Sequence, residues 1–208
     1  MNTLQKRGAF VVIEGLDGSG KTTQAKLLST RLKQSHRAWY TAEPSQGAIG
    51  TFIRESCLYG EKRLQTAVEA LLFAADRIEH VENEIKPALR DGRLAICDRY
   101  VYSSLAYQGS AGLSTDWISL INSSALKPDF AVFIDASPET VLRRLNRKKS
   151  VMENLETQRQ VREIYLSFVK NGELVLIDGD NPLEEVAENL YAIVLGFLDG
   201  FRADSAVV

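Results

Sequence analysis

The sequence predicts an α/β fold: a five-stranded parallel sheet flanked by helices on both faces. Short apolar runs rich in β-branched residues alternate along the chain with longer segments of helical apolar spacing. This alternation is typical of β–α–β units, in which each helix crosses the sheet and returns the chain to a parallel strand. Ligands bind at the carboxyl ends of the strands in such sheets, so the residues that follow each strand are the first candidates for function.

The predicted elements follow one another in a regular order. The apolar run from Ala9 to Ile13 predicts the first strand, and the amphipathic stretch from Gln24 to Leu28 predicts the first helix. Strands are expected at 9–14, 38–42, 94–98, 130–135 and 174–178. Helices are expected near 21–35, 47–58, 64–89, 101–108, 114–123, 138–146, 156–171 and 183–199. The apolar strands suggest that both faces of the sheet are covered. No repeat or composition break occurs, so we expect a single domain over residues 1–208.

The composition narrows the class of protein. Apolar residues make up 45% of the chain and charged residues 25%, and the formal net charge is −2. No overall field therefore favours nucleic acid or an anionic membrane, and we expect neither as a partner. The sequence shows no signal segment and no apolar run of bilayer length. Cys57 and Cys97 lack metal-ligand spacing and are expected to be reduced thiols, which favours a cytoplasmic location.

A glycine-rich loop joins the first strand to the first helix. It matches the pattern G-x-x-x-x-G-K-[ST], in which glycines allow backbone N–H groups to surround an anion. Lys21 adds a charge for the β- and γ-phosphates, the Thr22 hydroxyl can bind Mg²⁺, and the helix N-terminus points at the same phosphates. We therefore predict that a nucleoside triphosphate binds to Gly15, Leu16, Asp17, Gly18, Ser19, Gly20, Lys21, Thr22 and Thr23.

A second candidate site ends the third predicted strand. Asp98 lies at a carboxyl edge close to the loop, where a carboxylate can hold Mg²⁺ directly or through water. Thr22 and Asp98 are thus the candidate metal ligands. Arg99 offers a planar fork of donors suited to a phosphate. The alternative interpretation is a helix-capping Asp beside a surface Arg. These motifs alone do not separate a kinase from a GTPase or a motor protein.

The chain also carries a series of short motifs whose order and spacing resemble the thymidylate kinase family over nearly its whole length. The motifs are Asp17 in the loop, Glu43-Pro44, Arg54, Leu72 to Arg77, Ile85 to Leu89, Asp98 to Gly109, Lys127-Pro128-Asp129 and Ile177-Asp178-Gly179. The resemblance implies the fold of a kinase with a phosphate-binding loop and a short basic lid at about 143–156. It also implies that ATP is the phosphate donor, Mg²⁺ the cofactor, dTMP the acceptor, and a homodimer the assembly.

The resemblance assigns a role to each part of the acceptor site. Phe73 would stack on the thymine ring, and Arg77, four residues later on the same helical face, would reach its exocyclic oxygen. Tyr107 would lie against the sugar, and Arg54 and Arg99 would clamp the acceptor phosphate. The residues implied in dTMP binding are Asp17, Glu43, Arg54, Phe73, Arg77, Arg99, Ser103, Ser104, Tyr107 and Gln108.

The resemblance further implies catalytic roles for Asp17, Lys21, Arg99 and a cation from the lid. Some family members carry an arginine in the phosphate-binding loop, but positions 16, 18 and 19 here are Leu, Gly and Ser. A basic lid that closes over the γ-phosphate would then stabilise the charge of the transition state. We expect this cation to be Arg147, with Lys148, Arg143, Arg159 and Arg162 as alternatives. The sequence departs from the family pattern at Ala42 and Asn154, where arginine is frequent.

The leading hypothesis is therefore transfer of the γ-phosphate of MgATP to dTMP, which yields dTDP and ADP for dTTP synthesis. The nearest alternative is a related kinase that acts on another nucleotide or on a deoxynucleoside. Paired arginines at 54 and 99 favour an acceptor that already carries a phosphate. A GTP-dependent switch is less favoured, because the sequence lacks the Asn-Lys-x-Asp motif that reads guanine.

Overall fold

The computed structural model describes residues 7–58, 64–144 and 155–204. Within them, five parallel strands form one sheet in the order β2-β3-β1-β4-β5. The strands are β1 (Phe10–Gly15), β2 (Trp39–Ala42), β3 (Ala95–Asp98), β4 (Phe130–Asp135) and β5 (Val175–Asp178). This confirms the predicted fold class, and each predicted strand differs from the observed one by at most one residue at either end.

Helices connect all of the strands. They are α1 (Lys21–His36), α2 (Ala48–Phe52), α3 (Thr66–His80), α4 (Lys86–Arg90), α5 (Val101–Ser110), α6 (Thr115–Ile121), α7 (Pro138–Arg144), α8 (Leu155–Lys170) and α9 (Leu183–Asp204). Wider π-helical turns extend α2 through Ile53–Leu58 and join α3 to α4 through Val81–Ile85. The predicted end of the seventh helix at 146 lies outside the described residues. The last helix runs beyond its predicted end at 199, because Phe201 continues its packing through Phe197 onto Phe130.

The alternation of side chains along β1 explains why two layers of helices cover the sheet. Phe10 and Val12 pack on one face with α5 and α8. Val11 and Ile13 pack on the opposite face with α1 and α9. Because successive residues of a strand point to opposite faces, a continuous apolar run forms a strand that is buried on both sides.

The edge strand β5 departs from this pattern. Val175 and Leu176 are 37% and 40% exposed, so the expectation that both faces are covered is wrong for β5. An edge strand has a neighbour on one side only, here β4, and it lies at the margin of both helical layers. None of the helices in the described ranges is long and apolar enough to span a bilayer.

The strand register brings the carboxyl ends of the central strands together. Ile13 pairs with Asp98, and Asp98 also pairs with Ala42 on the other side. The glycine-rich loop after β1 and the residues after β2 and β3 therefore lie side by side at one edge of the sheet. This edge is where parallel α/β sheets bind their ligands.

Candidate active site

The glycine-rich loop forms an anion cradle. Gly18 and Gly20 have φ angles of 90° and 93°, a left-handed conformation that favours glycine, and Lys21 begins α1 directly after them. The Lys21 ammonium donates to the Leu16 carbonyl at 3.0 Å and lies 3.6 Å from the Asp17 carboxylate. The first N–H groups of α1 therefore point toward the same space as the ammonium, as phosphate binding requires.

The environment of Lys21 favours an anionic ligand. The side chain is buried, and burial lowers the pKa of its ammonium, as does the nearby charge of Arg99. Asp17 and Asp98 act in the opposite direction. A bound phosphate would add negative charge beside the ammonium and would stabilise its protonated form.

Thr22 and Asp98 form the candidate magnesium site. The Thr22 hydroxyl donates to Oδ2 of Asp98 at 2.5 Å, so the two predicted ligands are in direct contact. Oδ1 of Asp98 is buried and has no hydrogen-bond partner among the described residues. A hydroxyl beside a carboxylate oxygen with unused lone pairs fits Mg²⁺, which typically takes few protein ligands and completes its shell with water and substrate phosphates.

A cavity of about 370 Å³ opens beside the loop. The elements that line it are the loop itself, the residues after β2, the helices α3 and α5, and the turn after β3. Its lining includes all ten residues predicted to bind dTMP and also Lys21, Thr22 and Asp98. The residues that line it are Asp17, Lys21, Thr22, Tyr40, Ala42, Glu43, Pro44, Gln46, Arg54, Leu58, Phe73, Arg77, Asp98, Arg99, Tyr100, Ser103, Ser104, Tyr107 and Gln108.

Arg99 is fixed at the end of the cavity next to the loop. Its backbone adopts a left-handed conformation with φ 73°, which is uncommon for a residue other than glycine. Its guanidinium donates to Asp17 at 2.5 Å and to Ser103 at 2.9 Å. Burial disfavours the charged form of Arg99, but the carboxylate of Asp17 acts against this, and the pKa is raised well above its ordinary value. The guanidinium therefore stays charged.

Asp17 and Tyr107 meet at the same end of the cavity. The Asp17 backbone N–H donates to the Tyr107 hydroxyl at 3.0 Å. The Arg99 guanidinium lies over the Tyr107 ring, 5.1 Å from its centre. Burial raises the pKa of Tyr107, and the charge of Asp17 raises it further, so the hydroxyl stays protonated. A charged arginine, a carboxylate and a tyrosine ring thus surround the space next to the loop.

Arg77 belongs to a second cluster of polar side chains that lines the same cavity. It is only 2% exposed, and it donates to Glu43 Oε2 at 2.7 Å, to Asn122 Oδ1 and to Ser104 Oγ at 3.3 Å. Phe73 lies four residues earlier on the same face of α3 and lines the same cavity, with its ring half-buried. An aromatic ring beside a fixed array of donors suits a planar base that carries exocyclic oxygens.

Arg54 lies on the π-helical turn after α2. Its guanidinium donates to the Pro44 and Ser45 carbonyls at 2.7 and 2.6 Å and to the Thr51 hydroxyl at 3.1 Å. The side chain is half-buried and lines the cavity. It therefore adds its positive charge to the cavity that holds Arg99, although Arg54 and Arg99 do not share a partner in the described contacts.

A buried carboxylate, Glu14, holds the turn that follows Arg99. Glu14 accepts hydrogen bonds from the Tyr100 and Ser103 backbone N–H groups at 2.9 and 3.2 Å, from the Ser103 hydroxyl at 2.6 Å and from the Tyr165 hydroxyl at 2.8 Å. Burial raises its pKa, and these hydrogen bonds and the charge of Arg99 act against that rise. Glu14, which lies on β1, thereby caps the N-terminus of α5.

A second, smaller cavity of about 200 Å³ lies behind the loop. The beginning of α1 and the residues after β5 form its walls, and Arg144 donates to the Gly179 carbonyl at 3.1 Å beside it. The residues that line it are Ser19, Gly20, Thr23, Gln24, Arg144, Gly179, Asn181, Leu183 and Val186.

The contacts of the described residues do not test the prediction that Arg147 is the lid cation. Arg147 and Lys148 lie outside the described residues. Of the alternatives, Arg143 donates to the Thr140 hydroxyl at 3.0 Å. Arg159 pairs with Glu139 at 2.8 Å, and Arg162 makes a bidentate pair with Asp135 at 2.6 and 2.8 Å. The last two guanidinium groups are therefore engaged by carboxylates of the chain itself.

Several site residues were missed by the sequence analysis. They are Glu14, Tyr40, Tyr100, Asn122 and Tyr165, which line the cavity or hold the residues that do. Glu14 had a detectable signal, because it is a charged residue at the end of an apolar strand and directly before the loop. Asn122 and Tyr165 lie on ordinary amphipathic helices, and nothing in their local sequence distinguishes them.

Comparison with known proteins agrees with the motif pattern. A family model described as thymidylate kinase matches residues 13–190. The probable thymidylate kinase of Pyrococcus abyssi is 44% identical over 199 residues, which cover 90% of this chain and 96% of that relative. The probable thymidylate kinases of Pyrobaculum aerophilum and Staphylothermus marinus are 43% and 38% identical, and the matched regions cover 89% and 93% of this chain and 96% and 98% of those relatives. The chain therefore belongs to the thymidylate kinase family, and it is a phosphotransferase.

Proposed function

We propose that this enzyme transfers the γ-phosphate of MgATP to dTMP and releases dTDP and ADP. The observation that carries the proposal is the single cavity that holds both halves of the chemistry. Its walls contain Lys21 and the Thr22–Asp98 pair as well as Phe73 and Arg77. Its volume of about 370 Å³ is within the range of pockets that enclose small ligands.

The reaction needs alignment and charge neutralisation more than covalent chemistry. An oxygen of the acceptor phosphate attacks the γ-phosphorus, and the bond from that phosphorus to the β–γ bridging oxygen breaks as ADP leaves. Arg99 and Arg54 would hold the acceptor phosphate, while Lys21 and the N-terminus of α1 would hold the donor phosphates. Magnesium bound at Thr22 and Asp98 would neutralise charge on the donor phosphates.

Asp17 has two roles in this proposal. Its carboxylate contacts Arg99 at 2.5 Å and lies 3.6 Å from Lys21, so it fixes the spacing between the two cations. It also lines the cavity, where it would lie near the acceptor sugar. Tyr107, whose hydroxyl accepts from the Asp17 backbone, would pack against that sugar.

We further propose that the second cavity receives the nucleoside part of ATP. It begins at Gly20 and Thr23 of the phosphate-binding loop, so a triphosphate bound in the loop would lead directly into it. The Arg144 side chain, anchored on the Gly179 carbonyl, offers a flat cation for a purine ring. Arg147 remains our proposal for the lid cation, and its replacement by Ala should lower kcat and kcat/KM together.

A homodimer would use the outer face of α3. Val68, Leu71 and Ile78 recur at helical spacing and are 42%, 50% and 44% exposed, whereas Phe73 and Arg77 face the cavity. Because α3 also carries Phe73 and Arg77, an interface on its outer face would connect the acceptor sites of the two protomers. Replacement of Leu71 by Asp should shift the protein from dimer to monomer in analytical ultracentrifugation.

We also propose that the whole chain forms one domain in the cytoplasm. One sheet receives strands from residue 10 to residue 178, and α9 packs against its central strands. Cys57 and Cys97 are buried thiols that form no disulfide, as is usual in a reducing compartment.

Acceptor titration tests the proposed function. ADP release should be followed for the purified protein with ATP, Mg²⁺ and each of dTMP, dUMP, dCMP, dGMP and thymidine. We expect the highest kcat/KM with dTMP and little turnover with thymidine, because the nucleoside lacks the phosphate that Arg54 and Arg99 would hold. A preference for thymidine or for a purine nucleotide would refute the proposal.

A further inference from the structure

The buried side-chain amide of Asn122 contacts the guanidinium of Arg77, which lines the larger cavity. Asn122, the residue that ends α6, is 7% exposed and does not line the cavity. Its Nδ2 donates to the Ile118 carbonyl at 2.8 Å, and its Oδ1 accepts from the Arg77 guanidinium. Because one end of the amide must donate to a carbonyl, the other end is fixed as an acceptor toward Arg77.

Glu43 holds the same guanidinium from a second direction. Its Oε2 accepts from Arg77 at 2.7 Å, and its Oε1 lies 3.3 Å from Nδ1 of the buried His80. The other ring nitrogen of His80 lies 2.7 Å from the Thr41 hydroxyl. Both carboxylate oxygens of Glu43 therefore have partners in the protein, and these contacts fix the carboxylate beside Arg77.

The result is a cavity end that presents donors to a ligand. Nε of Arg77 is buried without an acceptor among the described residues, and the side chain lines the cavity. Ser104 accepts from Arg77 at 3.3 Å, so its own hydroxyl proton remains available for donation. A base edge that carries an oxygen satisfies such donors. A base edge with an amino group would oppose them and leave them unsatisfied.

We infer that Asn122 is a positioning residue that sets acceptor selectivity for a 4-oxo over a 4-amino pyrimidine, by holding Arg77 as a fixed donor. The inference rests on the proposed function, because it assumes that the acceptor base occupies the Arg77 end of the cavity. Asn122 acts through Arg77 and contacts no substrate. A hydrogen bond to a charged group changes an equilibrium by roughly tenfold to a hundredfold, so its loss should be visible in selectivity.

The test compares dTMP with dCMP. Both kcat/KM by ADP release and dissociation constants by calorimetry should be measured for the wild type, Asn122→Ala and Asn122→Asp. We expect Asn122→Ala to reduce the dTMP-to-dCMP ratio by about tenfold or more. Asn122→Asp should lower the ratio less than Asn122→Ala does, because a carboxylate oxygen still accepts from Arg77 although the donation to the Ile118 carbonyl is lost. Asn122→Leu keeps the branching at Cγ without polar atoms. It should lower the ratio as Asn122→Ala does, and it serves as the second variant if truncation impairs folding.

Ser114→Ala is the matched control. Ser114 caps the start of the same helix, where its hydroxyl accepts from the Trp117 backbone, and it makes no contact with Arg77. This variant should weaken α6 and leave the ratio unchanged. An unchanged ratio in both Asn122→Ala and Asn122→Leu, or an equal fall in Ser114→Ala, would overturn the inference. A wild type that fails to phosphorylate dTMP would instead refute the proposed function.

Discussion

Removal of one hydroxyl, Tyr165→Phe, should show how much the hydrogen bonds around Glu14, which hold the turn after Arg99, contribute to the free energy of unfolding. The Tyr165 ring stacks on Phe133 with ring centres 4.7 Å apart, and phenylalanine keeps this contact. What is lost is the bond from the Tyr165 hydroxyl to Glu14 at 2.8 Å and its contact with Ser103 at 3.0 Å. A hydrogen bond to a buried charged group contributes about 1.5–3 kcal/mol, so the free energy of unfolding should fall by about this amount.

The assay is urea unfolding of the wild type, Tyr165→Phe and the control Tyr102→Phe. Tyr102 also packs on a phenylalanine, with its ring 5.2 Å from Phe168, and is not a hydrogen-bond partner of Glu14. We expect the control to change the unfolding free energy by less than about 0.5 kcal/mol. Equal losses in the two variants would refute the reasoning, because the effect would then come from the loss of any buried hydroxyl.

Three further predictions follow from the site. Lys21→Ala should abolish transfer and keep the circular dichroism spectrum, because the ammonium faces the anion cradle; near-normal turnover would contradict the assignment. Phe73→Ala should raise the KM for dTMP by about tenfold to a hundredfold, the equivalent of about 1–3 kcal/mol of base stacking, and should leave the KM for ATP nearly unchanged. Equal effects on both substrates would indicate a purely structural role. Burial raises the folded-state pKa of Glu14, so its contribution to stability is present below the ordinary pKa of about 4.3 and is lost as the pH rises through the raised value. The unfolding free energy of the wild type relative to Glu14→Gln should therefore fall as the pH rises above about 4.3, and parallel pH profiles of the two proteins would be evidence against it.

The local parts of the molecule could be predicted from the sequence. Strands and helices follow apolar periodicity, and the loop from Gly15 to Thr23 requires glycines and a lysine at fixed spacing, so a few adjacent residues determine each of them. Asp98 was predicted in the same way, because it ends an apolar run, and the strand register placed it next to Ile13. The order of the family motifs then supplied Phe73 and Arg77, which local patterns alone would not have selected.

Only the tertiary structure decided what holds these residues in place. Glu14 meets the hydroxyl of Tyr165 across 151 positions of sequence, and Arg77 meets Asn122 across 45. Tyr165 and Asn122 are ordinary in their own segments, since a buried polar group acquires its role from the partner that packing brings to it. The sequence therefore determined the chemistry of the loop and the class of fold. The packing of α6 and α8 against the sheet and α3 decided which buried groups orient Arg77 and Arg99.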